Sequence, residues 1–361
     1  MIDAVGTEFG DGALREGPDA IEAGAVRRFC EPLELGCPLH HDRAGARGHG
    51  YRDVVVPVSG IMTFTIPPLW QPGEPAVFTS PERDAQPARS GLRPRLTGLE
   101  PETTGYFAAE TAADYLAPAT VGDRLARAGN LLVSCVPKET SVGRGAFVTW
   151  QYEIRNQRGE AIARVRNTTY SYVPHPQRPP AVRTSNERRP AEREPDPGPQ
   201  PEDTVPEDMN WDRQRCWEDV TVGQAVPAVR FPLSVYRLVA AAGANRDFNS
   251  IHHNSEWARA SGAPDMYANV LFLQGMWERC VREFIGTGGL IRQVAGFRMG
   301  SFNTVGDVVT VQGSVARVWE EGDAGLAELR VWSRNRHGIS VGPGTVTVRV
   351  PRRSQAAGRH P

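Results

Sequence analysis

Asp247, Asn249 and His252 place a carboxylate, an amide and an imidazole within six residues of the stretch Asn245-Arg246-Asp247-Phe248-Asn249-Ser250-Ile251-His252-His253. A carboxylate and an imidazole that face one water can divide its protons, one group taking a proton as the other gives one. The five-residue separation of Asp247 and His252 does not bring them together on a regular helix. A turn must do so, and Asp247 to Ser250 favour one through side-chain bonds to nearby amides. The spacing serves a plainer purpose as well. Asp247 could satisfy turn amides, Asn249 could cap the helix through Glu256 and Ala258, and His252 could be a packing residue.

The elements around this stretch must hold it in place. An apolar helical run begins at Arg237, and a longer one spans Val270 to Ile285. The longer run is apolar around nearly all of its first turns, which suits the inside of a curved sheet. Gly275 within it costs helix propensity and is expected to let a strand approach closely. Alternating segments at Gln293–Phe302, Val308–Trp319, Leu326–Ser333 and Thr345–Val350 are expected to wrap the helix as an antiparallel sheet.

The same order occurs earlier in the chain. A helical run from Arg27 leads to His40-His41, as the run from Arg237 leads to His252-His253. Thr120-Val121-Gly122-Asp123 echoes Thr304-Val305-Gly306-Asp307, each ahead of a strand-like run. Arg155-Asn156-Gln157-Arg158-Gly159 resembles Arg334-Asn335-Arg336-His337-Gly338, both reading as hairpin turns. Between the copies, residues 174–206 hold ten prolines, many charges and few large apolar groups, the composition of an exposed linker. The expected organisation is an N-terminal unit at 1–173, this linker, and a C-terminal unit at 207–361.

Composition sets limits on function. The chain has 361 residues, 41 basic and 42 acidic, for a formal net charge of -1, so no strong field favours nucleic acid. Five widely spaced cysteines without a paired motif argue against a disulfide framework or a structural zinc, and no metal is expected. No apolar run reaches a membrane-spanning length, and the first residues lack the pattern of a secretion signal. A cytoplasmic protein is the expectation.

The Asp247–His252 stretch resembles the signature of MaoC-like (R)-specific enoyl-thioester hydratases and dehydratases, whose loop reads approximately Gly-Asp-x-Asn-Pro-hydrophobic-His. Asp247, Asn249, Ile251 and His252 match; Arg246 stands for the glycine and Ser250 for the proline. Trp217-Glu218-Asp219-Val220-Thr221-Val222-Gly223 and Gly262-Ala263-Pro264-Asp265-Met266 are similar to flanking segments of that family. Ile21–Asp42 and Tyr115–Tyr172 resemble the related FAS1-like dehydratase domain.

The resemblance implies an α+β double hotdog, with two antiparallel sheets, joined edge to edge, each wrapping a long central helix. It implies reversible hydration of an enoyl thioester to an (R)-3-hydroxyacyl thioester, with Asp247 and His252 as the acid-base pair. Asn249 would brace the loop, and the Val270 amide would meet the thioester oxygen. The acyl group would ride on CoA or phosphopantetheine, with no other cofactor. An acyl carrier protein and a homodimeric partner are both compatible with it. In the N-terminal copy Leu35 stands for Asp247 and Cys37 for Asn249, so that unit is expected to be non-catalytic. Glu34 is the neighbouring carboxylate that could partly compensate. Arg246, and Val270 in the run Tyr267-Ala268-Asn269-Val270 where the family has the glycine that gives the oxyanion amide, leave two alternatives open: a diverged biosynthetic lyase, cyclase or isomerase, and a non-catalytic acyl-binding subunit.

Overall fold

In the computed structural model, described for residues 1–10, 12–88, 99, 103, 105–140, 142–175, 210–211 and 213–356, the strands join into one antiparallel sheet. The N-terminal strands are β1 (Arg15–Glu16), β2 (Gly105–Tyr115), β3 (Leu125–Thr140), β4 (Gly143–Asn156) and β5 (Ala161–Pro174). The C-terminal strands are β6 (Ala225–Pro232), β7 (Leu290–Arg298), β8 (Val308–Glu321), β9 (Ala324–Asn335) and β10 (Gly338–Val350). Their spatial order is β1-β3-β4-β5-β2-β7-β10-β9-β8-β6. Most of the expected linker, residues 176–206, lies outside the described residues.

The sheets of the two units thus join edge to edge and run on as one. β2 and β7 would each expose an unpaired edge, and they pair with one another instead, with Glu110 opposite Arg298 and Asp114 opposite Gln293. An Arg298–Glu110 ion pair at 3.0 Å and a Gln293–Asp114 hydrogen bond at 2.6 Å tie the same junction.

The helices are α1 (Ala23–Cys30), α2 (Arg43–Gly48), α3 (Val235–Ala244), α4 (Ser255–Ala260) and α5 (Val270–Ile285). α5 is buried on nearly every side and packs against β6, β8, β9 and β10, as its apolar run requires. Gly275 meets something other than the expected strand. A Cβ there would lie 2.5 Å from Leu33 Cδ1, so the glycine admits a side chain of the N-terminal half.

The second long helix is absent from its expected place. Eighteen residues after His40, where α5 begins eighteen residues after His252, the chain forms an eight-residue 3-10 helix, Val58–Thr65. Pro57 precedes it, Pro67 and Pro68 follow, and Val58, Ile61, Thr63 and Thr65 are β-branched. Pro57 is compatible with a helix start, but Pro67 and Pro68 bar continuation beyond this segment, and β-branching weakens the turns between.

The duplication is visible in detail. Asp123 accepts from the Thr120 amide and hydroxyl, and Asp307 does the same for Thr304. Asn156 accepts from the Arg158 amide and Asn335 from the His337 amide, each stabilising its hairpin turn.

Candidate active site

The turn that carries Asp247 is the end of α3. The Asp247 amide donates to the Ala242 carbonyl at 3.0 Å and the Arg246 amide to the Gly243 carbonyl at 3.1 Å. This paired closure is the Schellman arrangement, which needs a left-handed residue between helix and exit. Arg246 supplies it with φ 56°, a conformation usually left to glycine. Asn249 then accepts from the Ile251 amide and caps the 3-10 turn Ser250–His252. It does not cap the next helix, as the plainer reading had it: α4 is capped by Asn254, which accepts from Trp257.

The turn brings the carboxylate and the imidazole together. His252 Nδ1 lies 2.8 Å from the Tyr267 carbonyl, and His252 Nε2 lies 3.4 Å from Asp247 Oδ2. A carbonyl can only accept, so Nδ1 carries the hydrogen and a neutral ring turns the Nε2 lone pair toward the carboxylate. Two acceptors facing each other at this distance suit a molecule with two hydrogens to give. A water donating to both would keep its own lone pairs free for attack. His252 is buried, while the Asp247 side chain is 24 % exposed, so one side of the pair is open.

The floor of the site is the start of α5. Asn269 caps it by accepting from the Phe272 amide at 2.8 Å, and Asn245 beside the Asp247 turn donates to the same oxygen at 2.9 Å. Val270 occupies the first helical position with its side chain packed against the core, its N–H at the positive end of the helix dipole. Tyr267 stands edge-on to His252 with centroids 5.1 Å apart, and Phe302 packs on Tyr267 at 4.8 Å. Burial, reinforced by the Asp247 charge, pushes the Tyr267 hydroxyl well above the usual tyrosine range. The signal for this aromatic wall in the sequence is the placement of Tyr267 just before α5; nothing in the spacing marks Phe302 as its partner.

The N-terminal copy repeats the frame without a carboxylate beside the imidazole. Leu35 and Glu34 close onto Cys30 and Glu31 in the same arrangement, with Glu34 left-handed at φ 51°. His40 Nδ1 lies 2.8 Å from the Val55 carbonyl, fifteen residues on, as His252 does from Tyr267. His40 Nε2 has no hydrogen-bond partner among the described residues. Burial first, then the Arg282 charge, lowers the ring to about 3. Cys37 is fully buried and its thiol is pushed up by burial. Glu34 does not compensate for the missing carboxylate. Its side chain is 68 % exposed and pairs with Arg237 at 3.0 Å and Arg279 at 3.4 Å across the junction between the halves. The Val58 amide, the counterpart of Val270, donates to Glu278 Oε1 at 2.8 Å. Ser59 donates to Glu278 Oε2 through both its amide and its hydroxyl.

A cavity of about 20 Å³, room for roughly one water, lies between α5, the Val58–Thr65 helix and the β2–β7 junction. Ser59, Tyr115, Gln274, Trp277 and Glu278 contribute to its walls. Among the described residues no cluster of three or more His, Cys, Asp or Glu side chains is placed to hold a metal. No helix among them is long and apolar enough to cross a membrane.

Fold and site together define an α+β hotdog-like protein, with a carboxylate and an imidazole 3.4 Å apart near the start of its longest helix. Residues 4–165 match the family model described as the FAS1-like dehydratase domain region. The chain is 33 % identical over 132 residues to the 3-oxo-4,17-pregnadiene-20-carboxyl-CoA hydratase beta subunit of Mycobacterium tuberculosis, covering 37 % of this chain and 96 % of that protein. It is 27 % identical over 154 residues to a probable enoyl-CoA hydratase alpha subunit of Thermomonospora curvata, covering 42 % of this chain and 45 % of that one. A solved structure described as a MaoC-like dehydratase superposes with a TM-score of 0.69 at 19 % identity, over 97 % of this chain and all of that one. A Mycobacterium tuberculosis protein described as having a double hotdog fold superposes at 0.55 with 9 % identity, over 96 % of each chain. The chain belongs to the MaoC-like hydratase/dehydratase family of hotdog enzymes.

Proposed function

We propose that this protein catalyses reversible addition of water to an enoyl thioester, giving the (R)-3-hydroxyacyl thioester, in the C-terminal unit. The observation that carries this reading is the Asp247–His252 pair, 3.4 Å apart beside the N-terminus of α5. Water donating to both groups attacks the β carbon and gives up one proton to the pair. The thioester oxygen gathers negative charge at the Val270 amide, where a fixed N–H costs no reorganisation. The pair then returns a proton to the α carbon on the same face, so the net change is addition of one water. In the other direction the α proton leaves first and the departing hydroxyl is protonated. Asn249 holds the turn through the Ile251 amide.

The carrier is CoA or phosphopantetheine, and the reading assigns the acyl tail to the N-terminal half. There the sheet is covered by eight residues of 3-10 helix in place of sixteen of α-helix. The name of the Mycobacterium tuberculosis relative makes 3-oxo-4,17-pregnadiene-20-carboxyl-CoA one member of the panel to assay. The test incubates the purified chain with short, long and ring-bearing enoyl thioesters and follows mass and product configuration. A gain of one water with (R) configuration at carbon 3 is expected. A rearranged or cyclised product would replace the assignment with a lyase or isomerase, and binding without turnover would leave an acyl-binding subunit.

A further inference from the structure

We propose that the segment running from Ile66 to Gln86 of the N-terminal half is a positioning strap for the Asp247 turn, with Arg246 and Gln86 as the residues that fasten it. The inference rests on the hydratase reading for its consequence in rate, though its geometry stands apart from it. The Arg246 guanidinium donates to the Ile66 carbonyl at 2.8 Å and to the Pro67 carbonyl at 3.0 Å. Four residues on, the Ser250 hydroxyl donates to Gln86 Oε1 at 3.0 Å. Asn254, which caps α4, donates to Asp84, and Arg83 pairs with Glu256 at 3.6 Å. One stretch of the N-terminal half thus touches the catalytic turn before Asp247, between Asp247 and His252, and after His252.

Arg246 and Ser250 are also the two positions at which this chain departs from the family's glycine and proline. Each departure is used. A left-handed arginine is costly where glycine is free, and here its side chain is anchored by two hydrogen bonds from a charged donor, the stronger kind. The anchored side chain holds residue 246 in the conformation that sets the exit direction of Asp247. Ser250 has a hydroxyl to offer Gln86 where proline would have none. Arg246 and Gln86 do not touch the reacting atoms; they act through the turn. A small displacement of Asp247 relative to His252 is enough to slow water activation, because reacting geometries tolerate little error.

Arg246→Gly is the informative variant, since glycine accepts φ 56° and only the fastening is removed. Its folded fraction and melting temperature are expected to stay close to the parent. Its single-turnover hydration rate should fall about tenfold while thioester affinity holds within about twofold. Arg246→Lys, able to reach one carbonyl, should recover part of the rate. Gln86→Ala and Ser250→Ala should each cost about threefold, and together no more than either alone, because they remove one shared bond. The nitrogen-15 resonances of the His252 ring, which face Asp247, should move in Arg246→Gly. A variant with parental rate and unchanged His252 resonances would overturn the strap, and so would a loss confined to affinity. If the parent hydrates no enoyl thioester, the hydratase reading fails, and the His252 resonances still decide whether the strap positions the turn.

Discussion

At the scale of single residues, the proposed reaction has Asp247 and His252 act on one water, so their losses should not multiply. Asp247→Asn keeps the volume and removes the basic oxygen; His252→Gln keeps hydrogen bonding and removes the exchangeable ring proton. Each should lower the single-turnover rate about 100-fold or more with a smaller change in melting temperature. The double variant should fall well short of the product of the two, and near-normal chemistry in either single variant would end the assignment. His40 offers a contrast in the same frame. Its ring is lowered from 6.5 to about 3, chiefly by burial. The unfolded chain takes up a proton below pH 6.5 that the folded chain refuses until about 3, so stability drains away as pH falls through that window. The slope from this group is at most about 1.4 kcal/mol per pH unit. His40→Gln should flatten it in urea unfolding at pH 4 to 6.5 and leave turnover at neutral pH largely intact. A variant with the parental slope would show that another group dominates.

At the scale of elements, the 3-10 helix Val58–Thr65 hangs on a carboxylate from the other half. Burial raises the Glu278 pKa above its ordinary value of 4.5, against the Arg282 charge and the bonds from Ser59 and Val58. A buried acid whose folded pKa is raised contributes most below that ordinary value, and the contribution fades as pH climbs through the folded pKa. Glu278→Ala strands the two amides and should cost about 2–4 kcal/mol. Glu278→Gln keeps one acceptor and should cost less, with its gap to the parent narrowing as pH rises above 4.5. A gap that widens with pH would contradict the raised pKa. Elements also divide into those that could be read in advance and those that could not. α5 was legible because sixteen residues run without proline and with almost no polar face early on. The shortened counterpart is not legible from family likeness, which implies a second long helix, whereas Pro67 and Pro68 bar its continuation. β6 escaped notice because Pro227 and Pro232 interrupt its alternation; a strand that pairs on one side only, with β8, tolerates them.

At the scale of the whole molecule, duplication was readable from the paired His-His and Thr-Val-Gly-Asp motifs, since turns and caps depend on a few residues at fixed offsets. The use of Arg246 was not readable, because a left-handed turn advertises itself through glycine and this one carries arginine. Nor was the crossing of contacts between halves, in which Glu34, Arg246 and Glu278 each bind across the junction, because such partners lie some 180 to 250 positions away in sequence. The two copies are thus unequal yet mutually dependent, and neither half is expected to keep its site geometry when expressed alone.

The carboxylate of Glu278 resting on the Val58 and Ser59 amides has a consequence for counting. In the proposed reaction the corresponding amide of the C-terminal copy, that of Val270, is offered to the thioester oxygen. In the N-terminal copy that cradle is already filled by the Glu278 side chain. Being intramolecular, it is present at an effective concentration that dissolved ligand cannot match. Duplication has therefore doubled the scaffold without doubling the valence. Calorimetric titration with a non-hydrolysable acyl thioester analogue should saturate at about one equivalent per chain, and two equal sites would show that the cradle empties in solution.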